Sequence, residues 1–407
     1  PLLPKLTMRN RKLFYWSLYD LGNTAFSALI ITIFFPLLIT EFLGGTDLHV
    51  GIAMGLSLML SAVIVPIAGG MSDATKVKRT YIIIFTLLAI TTTLGIAYGN
   101  LFWAITMGLM ANLFYHASLD IYDSILPEIV PASRIGSASG VGTAFGYVGT
   151  MISLVGGAII LNFLDWNIDL HAIRLIFIFT AMFFLFFSLF LCFGVKDKYS
   201  KQMTHKSGFK VALREIKSTL TDAKKHKNIW LFLLASFTYV GAANTLIIFL
   251  FRFGRESFGI GVQDFFWILG AMSLTAGAGS LIFGKMTDVV GPKNTLMTIL
   301  LLWIASLLSI IVQTELLTYY IVGLVGGALL GGTWTATRPF MIQLAPKNKL
   351  AELLGFQGLT EKLGGVQPVV FGIISVLVDI RAALFSVLVF FVIGLIILYN
   401  VKEPGKK

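Results

Sequence analysis

Gly69-Gly70-Met71-Ser72-Asp73, with Lys78 following, returns in the second half of the chain as Gly284-Lys285-Met286-Thr287-Asp288, with Lys293 following. Both stretches lie between the second and third apolar segment of their half. At the same offset Glu128, Pro131, Arg134 and Gly140 align with Gln343, Pro346, Lys349 and Gly355. A repeat held at one offset and at matching positions is the mark of an internally duplicated chain. Two halves with equal numbers of membrane spans in the same orientation are parallel repeats, related by an axis along the membrane normal, and they predict a pathway between them.

Working outward from the repeat, stretches of about 20 mostly apolar residues, long enough to cross a bilayer, fall at 13–40, 49–71, 80–99, 101–126, 135–163 and 172–194. A second set falls at 228–253, 263–285, 294–313, 316–342, 352–378 and 381–401. The expectation is an all-α integral membrane protein with twelve transmembrane helices, as two six-helix bundles about a pseudo-twofold axis. Hydrophobic residues make up 57% of the 407 positions and charged ones 13%, about half the charged share of a soluble globular domain. That balance excludes a water-soluble fold. The lone cysteine, Cys192, lies in an apolar run, so no disulfide framework exists within the chain.

The net charge of +11 is explained by where the basic residues lie. With a cytoplasmic N-terminus, the inner side collects Lys5, Arg9, Arg11, Lys12, Lys76, Lys78, Arg79 and Arg134, ten Lys/Arg between Lys196 and Lys227, then Lys285, Lys293, Lys347, Lys349 and the C-terminal lysines. The outer side receives only Arg174, Arg252, Arg255 and Arg381. The positive-inside rule then predicts that both termini are cytoplasmic, and no nucleic-acid partner is needed. The first span is too long for a signal-peptide core and no small-residue cleavage site follows it, so it reads as uncleaved. The domains are expected at 1–194, a basic linker at 195–227 and 228–407. Within the linker, apolar and basic residues at helical spacing predict an amphipathic helix on the membrane surface.

The chain resembles a major facilitator superfamily transporter over its whole length. Its Gly-x-x-x-Asp segments with basic residues behind them are similar to that superfamily's signature loop, and Pro127-Glu128-Ile129-Val130-Pro131 with Arg134 and Gly136 is similar to the motif after the fourth span. More narrowly, Trp16-Ser17-Leu18-Tyr19-Asp20-Leu21-Gly22-Asn23-Thr24-Ala25-Phe26 resembles the branch named for the fungal vacuolar amino-acid effluxers of autophagy. Gly331-Gly332-Thr333-Trp334 before Arg338, and Leu354-Gly355-Phe356, fit that branch too. The resemblance implies that Asp73 and Asp288 cap and hold the cytoplasmic side shut, with Lys78, Arg79 and Lys293 as nearby partners. A solvated loop acid is the plainer alternative for each.

Ionisable residues inside spans are costly and default to functional hypotheses. His116, Asp120 and Asp123 are spaced four and three apart and share one face of the fourth span, which the resemblance turns toward the substrate path. His116 with Asp120 reads as a proton relay, as a satisfied buried network, or as two ligands of a metal site that no second His/Cys cluster completes. Arg338 is the repeat counterpart of Asp123, so these two are a candidate gate pair, the alternative being that each snorkels to the interface. Glu128 and Arg134 join the gating set through their motif.

Asp20 and Asn23 share a face of the first span, Tyr147 lies on the fifth, Asn244 with Thr245 on the seventh, and Glu361 and Lys362 on the eleventh. Lys362 suits a substrate anion, and Asp20 or Asp120 a cation or proton. For Glu361 a packing role is as reasonable. The glycine-rich fifth span lacks the Gly-Pro usual in the superfamily's antiporters, which favours symport or uniport.

The expectation is a secondary transporter, not an enzyme, that moves a small polar solute by alternating access, amino acids or similar zwitterions first, with protons as a candidate coupling ion. Rivals are export of a lipid-like or drug-like amphiphile, transport of a metal ion through His116 and Asp120, and a non-transporting membrane receptor. No HExxH, GxSxG or nucleotide loop points to an enzyme. No cofactor or resident metal is expected. Partners are the solute and membrane lipids; a monomer in a bacterial inner membrane is the default.

Overall fold

The computed structural model describes residues 8–75, 77–130, 135–194, 227–313, 315–345 and 350–402. All regular elements among them are helical. In the first half these are α1 (Met8–Ala25, continued by wider turns over Phe26–Phe34 and Leu38–Phe42), α2 (Asp47–Thr75), α3 (Lys78–Gly95), α4 (Leu101–Asp123), α5 (Ile135–Asn162) and α6 (Leu170–Leu189). In the second half they are α7 (Lys227–Phe258), α8 (Val262–Val290), α9 (Pro292–Val312), α10 (Leu316–Leu344), α11 (Leu350–Leu363), α12 (Val366–Leu377) and α13 (Ile380–Tyr399).

Local chemistry sets the element ends. Asn100, Asp169 and Asp379 each accept from a backbone amide three residues on, at 3.0, 2.7 and 2.6 Å, which satisfies one of the orphan donors opening α4, α6 and α13. In α1 the turns widen where Pro36 removes a ladder donor. There the Thr32 hydroxyl donates to the Ser27 carbonyl five residues back, at 3.0 Å.

Two compact units emerge, Pro1–Leu38 with Val63–Leu213, and Ile39–Ala62 with Arg214–Lys407. Inside the first, α1 packs on α5 and α6, and α3 on α4 and α6. Inside the second, α7 packs on α11, α12 and α13, and α9 on α10 and α13. First with fifth and sixth, third with fourth and sixth: the same pairings recur in each unit, as a duplicated chain requires.

Among the described residues, ten helices are long and apolar enough to cross a bilayer. The two expected spans missing from that set are the fourth and the eleventh. α4 holds Asn112, His116 and Asp120, and the eleventh span is divided. It was expected to run unbroken over 352–378, but α11 stops at Leu363, Gly364-Gly365 form a turn, and α12 starts at Val366. The reason is steric. A Cβ at Gly364 would lie 2.9 Å from the Gly241 Cα of α7, and one at Gly365 would lie 2.8 Å from the Leu58 Cβ of α2. Only glycine lets the chain turn at so close a crossing.

Polarity is distributed as lipid demands. Phe102, Phe163, Trp267, Leu281, Val289 and Leu377 are largely exposed, whereas Ser17, Asn23, Asn112, Ser118, Thr245, Thr333 and Gln367 are buried. Apolar residues outside and polar residues inside are the arrangement of a protein solvated by hydrocarbon.

Candidate functional site

In the first unit the polar interior is organised around α1. The Trp16 indole nitrogen donates to the Tyr122 carbonyl at 3.2 Å, and the Tyr122 hydroxyl returns a bond to the Trp16 carbonyl at 2.9 Å. Their rings stack at 4.5 Å with 6° between planes. Tyr19 stacks on the other side of Tyr122 at 4.7 Å, and its hydroxyl meets the Thr86 hydroxyl of α3 at 2.7 Å. This clasp fixes the rotation of α1, and with it the aim of the next residue, Asp20.

Asp20 and Asn23 are joined, the Asn23 amide donating to the Asp20 carboxylate at 3.0 Å. The second carboxylate oxygen faces α5, where a Cβ at Gly142 or Gly146 would lie 3.6 or 3.5 Å from it. One turn further on, Gly149 admits the backbone of α1: a Cβ there would lie 2.7 Å from the Leu21 carbonyl carbon. Thr24 donates to the Gly146 carbonyl at 2.8 Å. The glycines of α5 thus seat α1 and leave room for its carboxylate.

On α4, His116 and Asp120 are half-buried and Asp123 is exposed. The His116 ring lies edge-on to its neighbour Tyr115, with 5.2 Å between centroids. The field of Asp123 reaches Asp20. Tyr147, on α5, is half-buried.

Lys78 reaches the end of α4. Its ammonium meets Glu128 at 2.8 Å and donates to the Ser124 carbonyl at 3.3 Å. A cation near the last carbonyls of α4 gains from the helix dipole as well as from the acid. Glu128 is 57% exposed, so the pair sits at the rim. Lys293 likewise binds the end of α13, donating to the carbonyls of Tyr399 and Val401 at 2.9 and 2.6 Å. Asp288 is exposed and Arg79 half-buried. The Asp73 side chain, Arg134 and the linker over 195–226 lie outside the described residues.

The second unit carries its own polar set. Tyr239 of α7 is fully buried, its hydroxyl 3.1 Å from that of Ser236 and 3.2 Å from that of Thr337 on α10. Next to Thr337 stands Arg338, whose field reaches Glu361. Glu361 accepts from the Gln357 amide at 2.7 Å, one turn earlier on α11. Lys362 follows, and both end at the Gly364-Gly365 break. Gln367, just past it, donates to the carbonyls of Phe237 and Thr238 at 2.9 and 3.0 Å. Asn244 is half-buried on α7.

A second cluster in this unit escaped the sequence reading. Asp47, at the start of α2, is 4% exposed and accepts from Arg252 at 2.9 Å and from Ser375 at 2.5 Å. Arg252 also meets Glu256 at 2.7 Å, and Arg255 grips Glu41 with two parallel bonds. The only sequence signal was the four-residue spacing of Arg252 and Glu256; Arg252 and Arg255 entered merely as outer-side charges. Among the described residues no His, Cys, Asp and Glu gather as a metal site.

The sequence profile of the Major Facilitator Superfamily matches residues 21–266 and 255–407. The chain belongs to the Major Facilitator Superfamily. Among curated proteins it is 25% identical over 411 residues to the uncharacterized MFS-type transporter YxiO of Bacillus subtilis (strain 168), covering 95% of this chain and 94% of the relative. It is 26% identical over 352 residues to an uncharacterized protein of Aquifex aeolicus (strain VF5), covering 86% and 85%.

Among solved structures, a bacterial homologue of the human lysosomal transporter Spinster, inward-facing and unoccupied, aligns with TM-score 0.72 at 16% identity over 98% of each chain. The nucleoside transporter NupG aligns with TM-score 0.73 at 15% identity over 97% of this chain and all of its own. At those identities the structural matches speak for the fold alone. This superfamily member is an integral membrane transporter and not an enzyme.

Proposed function

We propose that this transporter carries a small polar solute across a bacterial inner membrane by alternating access, with amino acids or related zwitterions as the substrate class. The observation that carries the reading is a membrane-embedded acid, Glu361, in the field of a cation, Arg338. Glu361 is held by Gln357 at 2.7 Å, Lys362 follows it, and the field of Arg338 reaches it. A zwitterion needs an acid and a base in one cavity, and the cost of keeping ionisable groups in a span makes such a grouping a functional hypothesis by default. The resemblance of the Trp16–Phe26 stretch to amino-acid effluxers supports the same class.

Asp20, ordered by Asn23 and by the aromatic clasp, and the His116/Asp120 face are the candidates for proton coupling, as symport. The span-by-span charge asymmetry supports cytoplasmic termini. On the gating side, Lys78 with Glu128 is a rim pair whose rupture would accompany opening.

A thermal-shift panel of amino acids, peptides, sugars, nucleosides, amphiphiles and divalent metals on the purified chain tests the class. Amino acids should raise the melting temperature. Stabilisation by nucleosides, amphiphiles or metals alone would reject the zwitterion reading and leave the family assignment standing.

A further inference from the structure

The short connection from α1 to α2 is tied at both ends. Gly44, at φ 66°, ends the wide turns of α1, and the Gly45 amide donates to the Ile39 carbonyl at 2.8 Å. Thr46 then opens α2, its carbonyl accepting from the amides of His49 and Val50 at 2.9 and 3.3 Å. In return the Thr46 amide donates to Nδ1 of the His49 ring at 3.0 Å, with the Thr46 hydroxyl 2.9 Å from the same atom. This is a reciprocal cap with an imidazole where glutamate or glutamine usually stands, three residues into the helix. A backbone amide can only donate, so Nδ1 is an acceptor here and the ring is neutral, with its proton on Nε2.

Two acids flank that cap, and both reach α7. Asp47 accepts from Arg252 and from Ser375 of α12, and Glu41 holds Arg255 with two bonds. The first turn of α2 also lies against α12: a Cβ at Gly372 would be 2.6 Å from the Asp47 carbonyl oxygen and from the Leu48 Cα. The cap therefore shapes the stretch of backbone that carries Asp47 to its partners.

We propose that the α1–α2 connection is a pH-sensitive catch on α7 and α12, with His49 as the proton sensor that releases it. A proton added at Nδ1 turns the acceptor into a donor. The hydroxyl contact survives by reversing its direction, but the Thr46 amide loses its partner, and an imidazolium then stands at a helix N-terminus, where positive charge is disfavoured. Imidazole is the side chain that makes this change between pH 5 and 8. The charged groups about the catch are Glu41 and Asp47, then Arg252, Arg255 and Glu256 on α7, and Asp379 at the start of α13, whose field reaches Glu256 as that of Asp47 does. α12 presents the neutral Ser375. Among the described residues His49 forms no ion pair, and Thr46 is its hydrogen-bond partner. The catch does not depend on which solute is carried.

The test is hydrogen–deuterium exchange of the full chain in detergent at pH 8 and pH 5.5, each rate referred to the intrinsic rate at that pH, for wild type, His49→Gln and His49→Ala. Loss of a cap predicts about fivefold less protection over 45–50 in wild type at the lower pH, with a parallel fall over 252–258 of α7 and no change over α9. His49→Gln keeps an acceptor that does not titrate and should stay protected at both values, whereas His49→Ala should be loose at both. Wild-type protection that ignores pH would overturn the proposal. So would a response that persists in His49→Gln, since Glu256 or another acid would then be the sensor. Loosening of 45–50 with 252–258 untouched leaves a cap but no catch and overturns it too, as does acid loosening that extends to α9. If His49→Ala fails to fold, wild type against His49→Gln decides alone.

Discussion

Removing Asp47 should cost this protein far more than removing Glu41, although each forms an ion pair with an arginine of α7. Asp47 is 4% exposed and its partner Arg252 is 21% exposed; for Glu41 and Arg255 the values are 29% and 35%. Breaking a buried pair by deleting one partner costs about 3–5 kcal/mol, because the survivor stays desolvated without compensation. Arg252 keeps Glu256 at 2.7 Å, which places Asp47→Ala at the lower end, about 3 kcal/mol. The Ser375 hydroxyl also loses its acceptor. Asp47→Asn can still accept from Ser375 and should cost about 2 kcal/mol, one charge-assisted bond. Glu41→Ala breaks a half-exposed pair and should cost less than about 1 kcal/mol.

The assay is reversible unfolding of the purified chain by SDS titration, run as two double-mutant cycles, Asp47 with Arg252 and Glu41 with Arg255. Coupling of about 2 kcal/mol or more in the first cycle and under about 1 kcal/mol in the second is expected. Equal coupling in both would refute the reasoning, since burial would then not be what separates them.

Other consequences are equally open to measurement. Gly149→Ala places a methyl group against the Leu21 carbonyl and the Thr24 hydroxyl and should destabilise by about 1–3 kcal/mol, read as lowered melting temperature; an unchanged melt would mean that α1 and α5 are not so closely seated. Tyr122→Phe deletes the bond to the Trp16 carbonyl and should cost about 1 kcal/mol while keeping the ring stack. Asn23→Ala removes the buried donor that satisfies Asp20 and should cost about 1–3 kcal/mol, read as a lowered melting temperature, with transport reduced as well. Lys78→Ala, at a rim pair, should change stability by less than about 1 kcal/mol, and the effect should fade in high salt.

Much of the scaffold was legible in the sequence because apolar span length and short-range spacing encode it. The twin segments ending in Asp73 and Asp288 marked the repeat, and the recurring helix pairings agree with it. The joined Asp20 and Asn23 were visible as neighbours on one helical face. Partners distant in sequence were not. Asp47 and Arg252 are 205 positions apart, and no periodicity links them. Nor did spacing show that Lys78 meets Glu128 and the Ser124 carbonyl, or that Lys293 reaches the carbonyls at the end of α13, 106 and 108 positions away. The Gly364-Gly365 break was hidden because hydropathy averages across a turn of two glycines. Trp16 and Tyr19 stood out only within the stretch that resembles the effluxer branch and Tyr122 not at all; their mutual stacking and hydrogen bonds give them a role.

Uptake by liposomes containing the purified chain tests the central claim most directly, with labelled amino acids compared against nucleosides, sugars and an amphiphile, each with and without a pH gradient. The account predicts saturable uptake of at least one amino acid, stimulated by the gradient and abolished in Glu361→Gln. Saturable uptake of another class with none of any amino acid, or amino-acid uptake untouched by loss of the Glu361 charge, would contradict it.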